Sequence, residues 1–82
     1  MTNLDRIRAV LDDHAKLRVP ASTLAAADDL YAAGMTSHAS VNVMLALEDA
    51  FEVEFPDALL TKSTFCSVAS IEQAVSTLAV AA

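Results

Sequence analysis

Glycine, proline and cysteine are scarce in this chain: one glycine, two prolines and one cysteine in 82 residues. One cysteine excludes an internal disulfide and gives no cysteine metal cluster. So little turn punctuation excludes a fold of many short strands. Basic residues are few as well, five against eleven acids, for a net charge of −6. They are also unevenly placed. Residues 1–27 hold four of the five, and from Asp28 onward Lys62 stands against eight acids. Reading a phosphate backbone needs clustered Lys and Arg that release counterions, so no nucleic-acid partner is expected. No apolar run reaches spanning length, so no membrane partner is expected. The N-terminus mixes Asp5, Arg6 and Arg8 among isolated apolar residues and does not read as a signal peptide. A cytoplasmic location is the expectation.

Alanine and leucine are what the chain has in abundance. Seventeen of its 45 hydrophobic residues are Ala and ten are Leu. Both favour helix, and no alternating strand pattern of useful length exists. The expected fold is all-α, one domain over residues 1–82, near the small end of what folds alone.

Helical spacing then places the elements. Residues 3–15 form a first helix, capped by Thr2 or Asn3, with Leu4, Ile7, Val10, Leu11 and His14 towards one face. Pro20 stops any continuation. Residues 16–36 make a long connection, and long loops in compact domains tend to carry function. Asp28, Asp29, Leu30 and Tyr31 pin it with a turn. Gly34 supplies a positive φ just before the second helix. Residues 37–51 form that helix, with Val43, Leu47, Phe51 and Met44 inward and Val41 and Leu45 off the stripe. Residues 57–62 make one short helical segment. Phe65 and Cys66 read as core fillers. Ser67 caps a last helix through about residue 80, with Val68, Ile71, Val75 and Leu78 at helical spacing. Three main helices plus a short one, with a long first loop, make a small four-helix bundle.

Ser37 is the residue of chemical interest. By local pattern alone it is a helix N-cap. A serine at a helix start is also exposed where backbone N–H groups and the dipole favour an anion. A nucleophilic serine needs a base and an orienting acid. His38 is adjacent, with no acid placed to orient it, and His14 is on another helix. Ser37 therefore reads as a modified residue, not a catalytic one, and the chain as no enzyme. No metal is expected, since no ligand set accompanies either histidine.

The order and spacing of several short pieces resemble the acyl carrier protein family over about residues 28–78. Asp28 to Ser37, DDLYAAGMTS, is similar to the family's approach to its modified serine. Val41, Leu45, Leu47, Glu48, Asp49 and Phe51 resemble its second helix, Glu54-Phe55-Pro56-Asp57 the end of that helix, and Ser67-Val68 the opening of the last. Thr36 stands where the family usually has Asp, and residues 37–47 hold no carboxylate. Gly34-Met35-Thr36-Ser37-His38-Ala39-Ser40-Val41 and Glu54-Phe55-Pro56-Asp57-Ala58-Leu59-Leu60 are most similar to the stand-alone aminoacyl carrier proteins.

That resemblance implies an acyl-carrier-protein-like fold and a carrier that catalyses nothing. It implies 4′-phosphopantetheine from coenzyme A on Ser37, attached by a phosphopantetheinyl transferase. The implied loader is a class II aminoacyl-tRNA-synthetase-like amino acid ligase that passes a small amino acid to the pantetheine thiol. Thr36, His38, Val41, Leu45, Glu48 and Asp49 are the expected recognition surface. For the acids alone, a solvated face is the simpler reading, and for His38 an exposed polar residue. Two alternatives stand beside this: an acyl carrier for a fatty-acid or polyketide-like pathway, against which the missing carboxylates count, and an unmodified helical interaction module. The downstream acceptor has no signature in the sequence.

Overall fold

A computed structural model describes residues 3–81. Among them are four α-helices and no strand: α1 (Asn3–His14), α2 (Ser37–Phe51), α3 (Lys62–Phe65) and α4 (Val68–Ala81), with 3-10 turns at Ala21–Thr23 and Asp57–Leu59. The all-α bundle of three main helices and one short one is as expected. Thr2, one of two expected caps of α1, lies outside the described residues. No helix among the described residues is long and apolar enough to cross a membrane.

α1 packs on α2 and α4, and α3 on α4. The core joins Ile7, Leu11 and Ala15 to Val43 and Leu47 of α2 and to Val68, Ile71 and Val75 of α4. The fully buried residues of α1 are Ile7 and Leu11, with Val10 partly buried against the core as expected and Ala15 buried just past the helix end. Leu4 is 38% exposed; helical side chains tilt towards the N-terminus, so in the first turn it leans off the end of the core. His14 is also exposed. It is the last residue of α1 and borders an open groove between α1 and α2 instead of entering the core.

The long connection is held to the bundle from both sides. Arg8 Nη1 donates to the carbonyls of Ala21 and Leu24 at 2.6 and 2.7 Å, and Asp12 Oδ1 accepts from the Ala21 N–H at 2.7 Å. Further on, the Leu30 N–H donates to the Cys66 carbonyl at 2.7 Å and the Ala69 N–H to the Ala26 carbonyl at 2.9 Å. Leu30 is fully buried beneath these ties.

The segment after α2 differs from the single helical piece expected over 57–62. It splits into the 3-10 turn and α3, because Leu60 and Thr61 leave helical geometry between them. Thr61 caps α3, accepting from the Thr64 N–H at 3.3 Å. Ser67 caps α4 as expected, accepting from the Ser70 N–H at 3.1 Å. Phe55 and Phe65 are buried with ring centroids 5.4 Å apart, tilted by 55°. Cys66 is only half-buried, not a core filler; its thiol turns to the Ser63 carbonyl at 3.2 Å.

Candidate functional site

The serine loop is built by a few local rules. Asp28 Oδ2 accepts from the Ala25 N–H and Asp29 Oδ1 from the Tyr31 N–H, both at 2.9 Å. Short carboxylates bonding nearby backbone in this way start turns. Gly34 then takes φ +119°, a conformation that L side chains rarely adopt. Space is short as well: a Cβ here would lie 3.1 Å from Arg18 Cγ and 3.3 Å from the Arg18 backbone nitrogen. Met35 follows into the core, and Thr36 and Ser37 emerge at the surface.

Thr36, not Ser37, is the N-cap of α2. Its Oγ1 accepts from the Ala39 N–H at 3.0 Å. Ser37 is the first helical residue and its side chain is exposed. The hydroxyl is therefore not spent on capping, which corrects the reading from local pattern. It also explains a tolerated departure: Thr and Asp both offer the oxygen that an N-cap needs. The Ala39 N–H goes to Thr36 Oγ1, and the Ser40 N–H to the Thr36 carbonyl at 2.9 Å. The N–H groups of Ser37 and His38 precede the helical ladder, at the positive end of α2. Ser40 Oγ donates to the Ser37 carbonyl at 2.7 Å.

From Ser37 a row runs along α2 at helical spacing: Val41, Leu45, Asp49. Val41 is 50% and Leu45 54% exposed, so both stand off the core as the phase predicts. Thr36, His38 and Asp49 are exposed as well. Glu48 differs from these. It is half-buried, and its Oε2 accepts from the Phe55 N–H at 2.9 Å. That carboxylate holds the chain where it leaves α2, so its first role is structural. The same C-terminal end of α2 is held by Arg6, which donates to the Ala50 carbonyl and lays its guanidinium 4.2 Å from the Phe51 ring centroid. A cation there complements the helix dipole.

Ser37 and Val41 also line an open groove of about 240 Å³, walled by Tyr31, Met44, Leu60 and Phe65 with Lys62 among them. Sequence spacing missed Tyr31, Leu60 and Lys62, which arrive from separate segments. The one available signal was Lys62, the only Lys or Arg after Asp28. His14 and His38 sit on different helices. Among the described residues no group of three or more His, Cys, Asp or Glu could hold a metal ion.

Ser37 is thus an exposed serine that opens a helix, delivered by a glycine turn. Residues 5–75 match the family described as phosphopantetheine attachment site. The chain belongs to this family of carrier proteins; it is a carrier, not a catalyst. It is 48% identical over 69 residues, 84% of this chain and 83% of the relative, to an aminoacyl carrier protein of Agrobacterium fabrum. Its fold is similar to a chain in two crystal structures. Both are of an engineered Bradyrhizobium japonicum glycine:carrier protein ligase complexed with a carrier protein from Agrobacterium tumefaciens. In the complex with AMP the TM-score is 0.86 at 45% identity, covering 89% of this chain and 97% of that one. In the complex with ATP it is 0.87 at 44%, covering 90% and 96%.

Proposed function

We propose that this chain holds a small amino acid as a thioester on a phosphopantetheine arm attached to Ser37, as a single carrier domain loaded by a synthetase-like ligase. The observation that carries this is the release of Ser37 from capping: Thr36 Oγ1 takes the Ala39 N–H, leaving the serine hydroxyl exposed at the positive end of α2. A phosphodiester on that oxygen meets the N–H groups of Ser37 and His38 and the helix dipole. The proton of the hydroxyl needs a base, and His38 lacks an orienting acid on its turn, so the phosphopantetheinyl transferase supplies it.

The aminoacyl specialisation rests on the similarity to an aminoacyl carrier protein and to a carrier complexed with a glycine:carrier protein ligase. The carboxylate-free run 37–47 is consistent with it and counts against a fatty-acid carrier. Thr36, His38, Val41, Leu45 and Asp49 form the recognition surface around the attachment point. Glu48 contributes charge there while holding the Phe55 N–H.

Incubation with coenzyme A, magnesium and a broad-specificity transferase tests the first half. Intact mass should rise by one prosthetic group in the wild type and stay unchanged in Ser37→Ala. Modification of Ser40, or of neither serine, would overturn the assignment. Holo protein with ATP and a glycine:carrier protein ligase should then gain glycine or alanine. Efficient charging with fatty acyl or malonyl groups and none with amino acids would favour the acyl-carrier alternative.

A further inference from the structure

The groove beside Ser37 is apolar on most sides, with walls from Tyr31, Val41, Met44, Leu60 and Phe65. One charged residue lines it. Lys62 opens α3 with its ammonium 4.9 Å from the centroid of the Tyr31 ring. Lys62 is also the only Lys or Arg in the chain after Asp28, so no second permanent cation of this half shares the task. The sign of this charge divides the parts of a loaded arm. A phosphodiester on Ser37 is attracted, an uncharged amide arm is indifferent to it, and the α-ammonium of an aminoacyl thioester is repelled. The Tyr31 face is a cation-binding surface of the groove, and Lys62 already occupies it.

We infer that Lys62 sorts the cargo by charge: the groove admits the uncharged arm and neutral acyl groups but turns out a protonated aminoacyl thioester. This rests on the arm being attached at Ser37. An amino acid would then stand in solvent, within reach of the loader and the acceptor, and would not shelter against the bundle. The groove occupant is the protein's own arm in its thiol form. Charge complementarity between Lys62 and the phosphodiester, and the fact that Ser37 itself lines the groove, both point to it.

The test bypasses the ligase. A broad-specificity transferase places pantetheine, glycyl-pantetheine or N-acetylglycyl-pantetheine on Ser37 from the matching coenzyme A derivatives. The two cargoes differ by the ammonium charge at about pH 6, below the usual α-amino range. NMR then follows the Tyr31 ring and the Val41 and Met44 methyls against the unmodified protein. In the wild type, the thiol and N-acetylglycyl forms should shift these signals alike, and the glycyl form should lose most of that shift. In Lys62→Glu the glycyl form should shift them as strongly as the N-acetylglycyl form, and in Lys62→Met the gap should close in part. Position 62 is exposed, and a carboxylate suits the first turn of a helix, so neither variant threatens the fold. Equal shifts from the two cargoes in the wild type would overturn the proposal. So would a thiol form that leaves the groove untouched, or a gap of unchanged size in Lys62→Met. If mass shows no group on Ser37, the attachment reading itself falls and this proposal with it. The two failures are therefore distinguishable.

Discussion

Thr36 and Glu52 close the two ends of α2, and they do so at different cost. Thr36 accepts from the Ala39 N–H in extended geometry, the ordinary state of an N-cap. Glu52 ends the helix at φ +54°, a left-handed position that glycine usually fills. The asymmetry matters because the first end presents Ser37. Removing the Thr36 oxygen should cost about 1 kcal/mol, in the usual range for a lost cap. Thr36→Asp should keep the cap and add roughly 0.3–1 kcal/mol from the dipole. Urea unfolding of Thr36→Ala and Thr36→Asp checks both. An unchanged midpoint in the alanine variant would mean that the cap contributes nothing, and that Ser37 can take it over.

At the scale of elements, α2 works as a two-faced ridge. Val43 and Leu47 are fully buried, while Val41 and Leu45 stand about half-exposed on the row that starts at Ser37. Exposed apolar residues beside an attachment point are suited to contact with a partner. Val41→Glu or Leu45→Glu should slow aminoacylation by the ligase while changing stability by no more than about 0.5 kcal/mol. Charging rates and unfolding curves measured on the same preparations decide it. Wild-type charging in both variants would remove these side chains from the recognition surface. The division of faces was legible from helical spacing alone, because an inward stripe of a 3.6-residue helix leaves its other positions outside. The role of Glu48 was not legible. It lies in an acidic stretch like its neighbours, and only the return of the chain to Phe55 gives its carboxylate an N–H to hold.

Across the whole molecule, α1 is the brace of the serine loop. Arg8 gives two hydrogen bonds to carbonyls of the connection and Asp12 receives one from it. The four bases before Asp28 are therefore not simply a basic patch: Arg6 ends α2, and Arg8 ties the loop. Losing hydrogen bonds from a charged donor to part-buried carbonyls typically costs a few kcal/mol. Arg8→Leu should destabilise by about 2–3 kcal/mol, a large share of the ~5–15 kcal/mol that holds a domain together. Amide exchange should quicken first at residues 21–34 and only later in α2. Wild-type exchange across the loop would show that the buried Leu30 alone anchors it.

What the sequence determined by itself is what local rules determine. Helical periodicity set the extent of α2, the glycine before it required a positive φ, and Ser67 was placed to cap α4. The ordered short pieces around Ser37 were specific enough to point to a carrier. The tertiary structure decided what depends on residues far apart in the chain. Ser37 and Thr36 are both good caps by type, and the backbone path through Gly34 and the buried Met35 put Thr36 at the cap and freed Ser37. Leu4, His14 and Cys66 fit an inward pattern, yet each ends outside the core or at its margin, because periodicity gives a direction and not the reach of the neighbouring helix. Lys62 and Tyr31 are 31 positions apart, and only folding sets the cation over the ring at the wall of a groove that begins at the serine.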